Sequence, residues 1–206
     1  MLDQFTLKDK AVIQLHNIMS YRADTPTLPF GISFLVIAKY YNEYIEKCLL
    51  SILPAVSNEI ILVDGSSDKN TENLIHRLAN EKIRYFKYGV GGSGWQNLAD
   101  SSNFGLQYCR FRWVFKWDCD MLADVDGLRS WVEQLKRLNA RFHYAVDVGR
   151  INPRIGLEFG GYEARLFTQH PKLKYRVVSN LDVMNYPIWF RLLRWDERFI
   201  THLNPK

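Results

Sequence analysis

The sequence predicts an α/β domain with a Rossmann-like, mainly parallel central sheet, helices on both faces and a small mixed C-terminal extension. Two observations predict it. Apolar runs of strand length alternate with segments whose apolar residues recur at helical spacing, as they do when helices connect parallel strands. The first run, residues 32–38, is apolar except for Ser33 and shows no alternation, which is typical of a strand buried on both faces. The 206 residues are enough for one such domain and a short appendage.

The individual elements follow in order along the chain. Residues 1–29 are interpreted as an amphipathic arm and linker, because their apolar side chains recur at helical spacing before two prolines. Strands are predicted at 32–38, 60–63, 83–88, 113–117 and 144–148, with short later ones at 165–168 and 175–178. Helices are predicted around residues 45–53, 74–78, 98–109 and 128–138. Asn42 and Asp68 are placed at helix N-caps, and the aromatic, basic segment 189–195 is interpreted as helical.

Two acidic turns follow predicted strands. Asp64 opens the turn DGSSD after the second strand, and Asp118 and Asp120 follow the fourth. Right-handed crossovers bring the carboxyl ends of parallel strands to one edge of the sheet, where ligands bind. Asp118 and Asp120 lie two apart in an extended segment, so both side chains leave on one side, opposite Cys119. Such a pair is half of a hard-cation site, suited to Mg²⁺ or Mn²⁺ bridging a diphosphate.

The acidic pair has a competing interpretation. A two-apart aspartate pair arises easily by chance, and a second one, Asp124 and Asp126, is expected to cap the following helix. Taken alone, the first pair would also suggest a cap or a solvated turn. The buried strand before it and the second acidic turn favour a metal site. His202 is a third candidate ligand, although a lone histidine is more often a surface or core residue.

Composition limits the function without choosing it. A net charge of +5 from scattered Lys and Arg fits an anionic ligand, an anionic membrane or nucleic acid equally well. Aromatic residues are 14% of the chain, and packing explains them better than ring-binding platforms. Three cysteines without metal-ligand spacing predict free thiols. No apolar run has a membrane-spanning length, and the first ten residues lack a signal peptide's apolar core, so a cytoplasmic location is expected.

Four segments together resemble the family-two glycosyltransferases, which have the GT-A type fold. In matching order and spacing, they are Lys39-Tyr40-Tyr41-Asn42-Glu43, Val63-Asp64-Gly65-Ser66-Ser67-Asp68, Ser102-Asn103-Phe104-Gly105 and Trp117-Asp118-Cys119-Asp120. The segment Glu163-Ala164-Arg165-Leu166-Phe167 extends the likeness into the later half. The domain, residues 30–206, would then divide into a nucleotide-binding half, 30–120, and an acceptor-side half, 121–206.

The resemblance implies roles for six residues. Asp64 would accept a hydrogen bond from the nucleotide base, and Lys39 and Tyr41 would flank the nucleoside. Asp118 would lie near the ribose and the metal, and Asp120 would coordinate the metal. His202 is similar to a late histidine that reaches the same ion in some members. For Asp64 the alternative is a structural turn residue, a role that aspartate performs well.

The chain departs from the family pattern at three places. Val63 and Ser102 stand where the family often has an acid and an arginine, so a phosphate contact would come from Lys116 or from the glycine-rich loop after residue 88. A His-Glu pair that many members carry is absent near Ser179 to Asp182. The catalytic base is therefore open between Asp182 and Glu163, and a surface carboxylate is an equally good interpretation of each.

The resulting hypothesis is metal-dependent transfer of a sugar from a nucleotide-sugar to an acceptor hydroxyl on a glycan, a lipid-linked molecule or a protein. Family resemblance implies inversion, with a carboxylate as base and with the metal and cations stabilising the leaving group. A sugar nucleotidyltransferase is disfavoured because no glycine-rich phosphate loop follows the first strand. A non-catalytic nucleic-acid-binding domain is disfavoured because two acidic turns would repel phosphates. For residues 189–195, packing on the domain is favoured over peripheral membrane contact.

Overall fold

A computed structural model describes residues 11, 15, 28–38, 44–55, 58–89, 94–152, 157–179, 181–195 and 200–203, without the side chains of 150–162. The arm predicted over residues 1–29 lies almost wholly outside these ranges, as do Lys39, Tyr41 and Asn42, and the expectations for them stay predictions. Within the described ranges the elements are β1 Ile32–Ala38, α1 Tyr44–Ile52, β2 Glu59–Asp64, α2 Asn70–Leu78, β3 Ile83–Lys87, α3 Trp95–Leu106, β4 Trp113–Asp118, β5 Met121–Ala123, α4 Val125–Arg137, β6 Tyr144–Asn152, β7 Leu157–Thr168, β8 Lys174–Val178, β9 Leu181–Asn185, β10 Arg191–Trp195 and β11 Ile200–His202.

The central sheet has nine strands and is mainly parallel. Its order is β3-β2-β1-β4-β7-β6-β11-β5, and β10 also pairs with β6. Strands β3, β2, β1 and β4 are parallel to one another, whereas β7 is antiparallel to both of its neighbours. Strands β8 and β9 form a separate antiparallel hairpin. The predicted α/β class, with a mixed extension in the later part of the chain, is confirmed.

Helices cover both faces of the sheet. Every residue of β1 is buried, which explains why its sequence is apolar without alternation. Phe34 and Trp117 pack on one face with apolar side chains of α1, α2 and α4. Leu35 and Ile37 pack on the other face with α3 and the β8–β9 hairpin. Helix α3 approaches β1 so closely that a Cβ atom on Gly105 would lie 2.3 Å from Cδ1 of Leu35.

The helix predicted over residues 189–195 is wrong. Arg191–Trp195 forms β10 and pairs in parallel with β6. Periodicity cannot separate a short apolar segment of a buried helix from a strand, and here the open edge of β6 decides the outcome. Trp195 packs against the core, and Arg194 donates to Asp147 of β6 at 3.0 Å. The segment therefore packs on the domain, as favoured over membrane contact.

The capping residues and the apolar spacing predicted one helix start correctly and placed other helix ends one to three residues away. Asp124 is the N-cap of α4, where its carboxylate accepts the N–H of Gly127 at 3.1 Å, so the capping prediction is confirmed. The N-cap position of α2 is Lys69, and Asp68 instead accepts the N–H of Asn70 at 2.9 Å. Helix α3 begins three residues before its predicted start and ends three before its predicted end.

Two expectations from composition can be compared with the described residues. Cys48, Cys109 and Cys119 form no disulfide among the described residues. Among the described helices, none combines the length and the hydropathy needed to cross a bilayer.

Candidate functional site

Both acidic turns lie at the carboxyl edge of the parallel strands. Ala38, the last residue of β1, stands opposite Asp64 of β2, and its neighbour Ile37 stands opposite Asp118 of β4. Since β1 alone separates the two turns, their Cα atoms are two strand spacings, about 10 Å, apart. Strand alternation sends the Asp64 carboxylate toward the face of α1 and α2 and that of Asp118 toward the face of α3. The turns share an edge but not a face.

Two cations hold the Asp118 carboxylate. Its Oδ1 accepts from Lys116 Nζ at 2.7 Å, and its Oδ2 accepts from Arg165 Nη2 at 2.9 Å. Both cationic side chains are nearly buried, with exposed fractions of 7% and 10%. Burial alone would raise the pKa of Asp118, but the charges of Arg165 and Lys116 outweigh it and hold that pKa well below its usual range. Asp118 is therefore ionised and fixed in orientation.

Arg165 reaches this position because β7 bulges. Val146 and Asp147, consecutive residues of β6, stand opposite Leu166 and Ala164, so Arg165 between them has no ladder partner. A β-bulge adds one unpaired residue and re-aims its side chain, and bulges are frequent beside active sites. The motif that contains Arg165 was noted in the sequence, but the role of its guanidinium was missed. A lone arginine within an otherwise apolar strand end was the available signal.

Each of the two candidate bases shares a cation with Asp118. Asp182, on β9, has its Oδ2 3.5 Å from Lys116 Nζ, and its side chain is 12% exposed. Glu163, on β7, forms an ion pair with Arg165, and its side chain is 35% exposed. The structure therefore brings together two carboxylates that lie 19 positions apart in the sequence. Both carboxylates therefore belong to one ion-pair network with Asp118.

The hairpin that carries Asp182 is fastened to α3 by the asparagine of the third resemblance segment. Asn103 Oδ1 accepts the N–H of Tyr175 at 2.7 Å, and its Nδ2 donates to the carbonyl of Tyr175 at 3.0 Å. The Tyr175 hydroxyl is buried and has no hydrogen-bond partner among the described residues. Burial, and to a lesser extent the charge of Asp182, raises the pKa of the Tyr175 hydroxyl. Sequence reasoning gave no role to Tyr175, since a tyrosine in a short strand carries no signal of its own.

Asp120 and His202 meet through the pairing of two short strands. Strand β11 runs antiparallel to β5, with His202 opposite Met121. The N–H of Leu203 also donates to the Asp120 carbonyl at 2.9 Å. As a result, His202 Nε2 lies 3.0 Å from Asp120 Oδ1, and their side chains are 10% and 16% exposed. The histidine near the end of the chain is thus buried beside the acidic turn.

Asp118, Asp120 and His202 form a group that could hold a metal ion, because one ligand atom of each lies within 4.8 Å of the others. Two carboxylates and an imidazole suit a divalent cation. The charged side chains linked to this group within the described residues are four carboxylates and two cations, namely Asp118, Asp120, Asp182, Glu163, Lys116 and Arg165. These four carboxylates and two cations sum to two negative charges, which a divalent cation would balance.

Asp64 is fully enclosed by its own neighbours. Its Oδ1 accepts the N–H of Ser66 at 2.8 Å, and its Oδ2 accepts from Tyr85 Oη at 2.8 Å and Lys87 Nζ at 2.9 Å. The Asp64 side chain is 0% exposed. Burial would raise its pKa, but these hydrogen bonds outweigh burial and lower it. These contacts match the structural alternative, in which Asp64 orders its own turn.

Comparison with known proteins gives one matching family and several similar folds. The family model described as Glycosyl transferase family 2 matches residues 33–181, well over half of the chain. No curated protein matches the sequence. S. aureus TarS 1-349 has a similar fold, with a TM-score of 0.52 and 14% identity over 61% of this chain and 37% of that one. For TarS 1-349 in complex with UDP-GlcNAc the TM-score is 0.50 and the identity 18%, over 61% and 36%. In complex with UDP they are 0.51 and 14%, over 61% and 37%. The chain thus spans little more than a third of those TarS chains, and the likeness concerns the fold.

Proposed function

The chain belongs to glycosyl transferase family 2, and from that premise we propose that it transfers a sugar from a nucleotide-sugar to an acceptor hydroxyl with the help of a divalent cation. The observation that carries the proposal is the group of Asp118, Asp120 and His202, whose ligand atoms lie within 4.8 Å of one another at the carboxyl edge of the sheet. A Mn²⁺ or Mg²⁺ ion held there would neutralise the charge that develops on the departing nucleotide diphosphate. Family membership favours this function over nucleotidyl transfer and over nucleic-acid binding.

The donor would lie across the carboxyl edge. Asp118 and Asp120 would face its diphosphate through the cation, while the turn of Asp64, with Lys39 and Tyr41, would take the nucleoside. TarS 1-349 forms complexes with UDP-GlcNAc and UDP. UDP is therefore the first nucleotide to test, although the nucleotide of this chain is a separate question.

Asp182 is the stronger candidate for the catalytic base. A base needs a carboxylate that is ionised, close to the reacting hydroxyl and not fully engaged by a cation. The carboxylate of Glu163 is engaged by the guanidinium of Arg165, whereas the carboxylate of Asp182 lies 3.5 Å from Lys116 Nζ, too far for a normal hydrogen bond. Asp182 would take the proton of the acceptor hydroxyl, whose oxygen attacks the sugar opposite the diphosphate and inverts the anomeric centre. Glu163 would then serve to hold Arg165 against Asp118.

A thermal-shift panel of nucleoside diphosphates, each with and without Mn²⁺, tests the cation site. A nucleotide at 100 times its dissociation constant adds about 2.7 kcal/mol, or about 5–10 °C in a chain of this size. We expect one nucleotide to give such a shift only with the metal. Asp120→Ala should abolish the shift. Asp126→Ala, from the second aspartate pair and 90% exposed, is the matched control and should keep it.

Equal metal-dependent shifts in the wild type and in Asp120→Ala would remove the cation site from the proposal. Loss of the shift in both variants would indicate a general effect of negative charge instead. The proposed acceptor is a glycan, a lipid-linked molecule or a protein. The proposed location is the cytoplasm, because free thiols suit a reducing compartment.

A further inference from the structure

The β8–β9 hairpin has an apolar outer face. Side chains alternate along each strand, so Tyr175 and Met184, which are opposite each other, both point into the core. The other face carries Val178, Leu181 and Val183, which are 53%, 54% and 43% exposed. Val178 and Leu181 form the last pair before the turn. Isolated exposed apolar residues are common, but three on one small face make a patch.

The same outer face is also basic. Lys174 and Arg176 alternate with Val178 along β8, and both side chains are exposed. Arg176 stands opposite Val183, and Lys174 stands opposite Asn185. The outer face therefore contains cations and no acid. The acid of the hairpin, Asp182, belongs to the inner face and pairs with Lys116.

The hairpin presents this face as a rigid unit. Strands β8 and β9 are joined by two residues, and Ser179 in that turn has a φ of 49°. A positive φ at the first turn residue is what tight two-residue hairpin turns require. Asn103 binds both backbone groups of Tyr175 and fixes the hairpin to α3. Val178 and Leu181 therefore flank the turn of a hairpin that is anchored to α3 at Tyr175.

We propose that the outer face of the β8–β9 hairpin docks on the surface of an anionic phospholipid membrane. Apolar side chains that enter the headgroup region, flanked by Lys and Arg, are the features that bind proteins to such surfaces. Charge decides between this surface and a second copy of the chain. A twofold interface would bury Lys174 and Arg176 between two copies of a face that has no acid to pair with them, so like charges would be brought together. An anionic bilayer complements them.

The docked orientation would matter for catalysis. The hairpin that meets the membrane carries Asp182 on its inner face, facing Lys116 and Asp118. Membrane docking would place the acceptor side of the site next to the lipid surface. The acceptor class would then be a lipid-linked hydroxyl. This last step rests on the proposed function, whereas docking itself does not.

Vesicle co-sedimentation of the 206-residue chain, without nucleotide or metal, tests the docking. Vesicles of phosphatidylcholine alone are compared with vesicles containing phosphatidylglycerol. We expect binding to the anionic vesicles, weakened by salt. Lys174→Glu with Arg176→Glu should weaken that binding about tenfold or more. Leu181→Asp with Val183→Asp should remove it at physiological salt.

Matched controls lie on the opposite face of the sheet. Leu50→Asp changes an exposed leucine of α1 that is 49% exposed, and Lys69→Glu with Lys82→Glu reverses two exposed charges beside α2. Both controls should bind as the wild type does. Equal losses in controls and hairpin variants, or no wild-type binding to anionic vesicles, would overturn the proposal. A dimer in analytical ultracentrifugation that the hairpin variants dissociate would overturn it in favour of a second copy. The thermal-shift result with Asp120→Ala is independent of every outcome here.

Discussion

Replacing Arg165 by methionine should destabilise the protein far more than the same change at an exposed arginine. The guanidinium of Arg165 is 10% exposed and donates to Asp118 at 2.9 Å and to Glu163. Methionine keeps most of the apolar stem but leaves two carboxylates without their shared donor. The comparison is Arg77→Met, because Arg77 donates to Glu46 at 2.8 Å but is 63% exposed. The two arginines have similar donor–acceptor distances but differ in burial and in the number of carboxylates that they hold.

The expected magnitudes follow from that difference in burial. Removing one partner of a buried ion pair costs about 3–5 kcal/mol, and hydrogen bonds to charged groups contribute about 1.5–3 kcal/mol each. Lys116 remains on Asp118, and the side chain of Glu163 is 35% exposed, so the expected loss lies around the lower end of the ion-pair range and partly below it. We expect Arg165→Met to lose about 2–4 kcal/mol of unfolding free energy. Arg77→Met should lose less than about 1 kcal/mol.

Urea unfolding followed by tryptophan fluorescence measures both losses. Trp113, Trp117 and Trp131 are fully buried, so their emission reports on the core. Equal slopes of unfolding free energy against urea are required for the comparison, because a changed slope indicates a changed unfolded or native state. If Arg165→Met lost no more stability than Arg77→Met at equal slope, the ion-pair network around Asp118 would not stabilise the fold, and the reasoning from burial would be refuted.

Two further predictions concern other carboxylates. Burial would raise the pKa of Glu59, but hydrogen bonds from Ser33 and Arg110 outweigh burial and lower that pKa. The stabilisation of the folded protein by ionised Glu59 is therefore complete above the unfolded pKa of about 4.3, and it is lost as the pH falls through the lower pKa of the folded state. Glu59→Gln should therefore be less stable than the wild type at pH 7, by a margin that shrinks below pH 4 in urea titrations, and a margin independent of pH would contradict this. In steady-state transfer assays, Asp182→Asn should lower kcat by about 10²-fold or more with little effect on KM for the donor, whereas Glu163→Gln should cost less than about tenfold. The opposite ranking would make Glu163 the base.

The sequence predicted the parts of the fold that depend on long buried strands. Residues 32–38 and 113–117 are apolar except for Ser33 and Lys116, because strands of a parallel sheet are covered on both faces. The position of the acidic turns at the carboxyl edge follows from right-handed connections. These rules use only local patterns and chain topology. They were sufficient to place Asp64 and Asp118 at one edge of the sheet.

The rest of the site depends on pairings that leave no local pattern. Strands β5 and β11 have three residues each, too few to show a period, yet their pairing brings His202 to Asp120. The bulge that turns Arg165 toward Asp118 depends on a register shift against β6. Whether Arg191–Trp195 became a helix or a strand was decided by the free edge of β6 and not by its own propensity. Tertiary context therefore determined the details of the site.

The two acidic turns lie on opposite faces of one sheet edge, with β1 between them. A ligand shared by both turns must therefore cross the end of β1. A molecule touching both turns must bend over the last residue of β1, Ala38, and reach across about 10 Å, the width of two strand spacings. The spacing of the two turns therefore selects ligands by their length. A free sugar phosphate would be too short to contact both turns at once, whereas a nucleoside diphosphate would be long enough to contact one turn with each end.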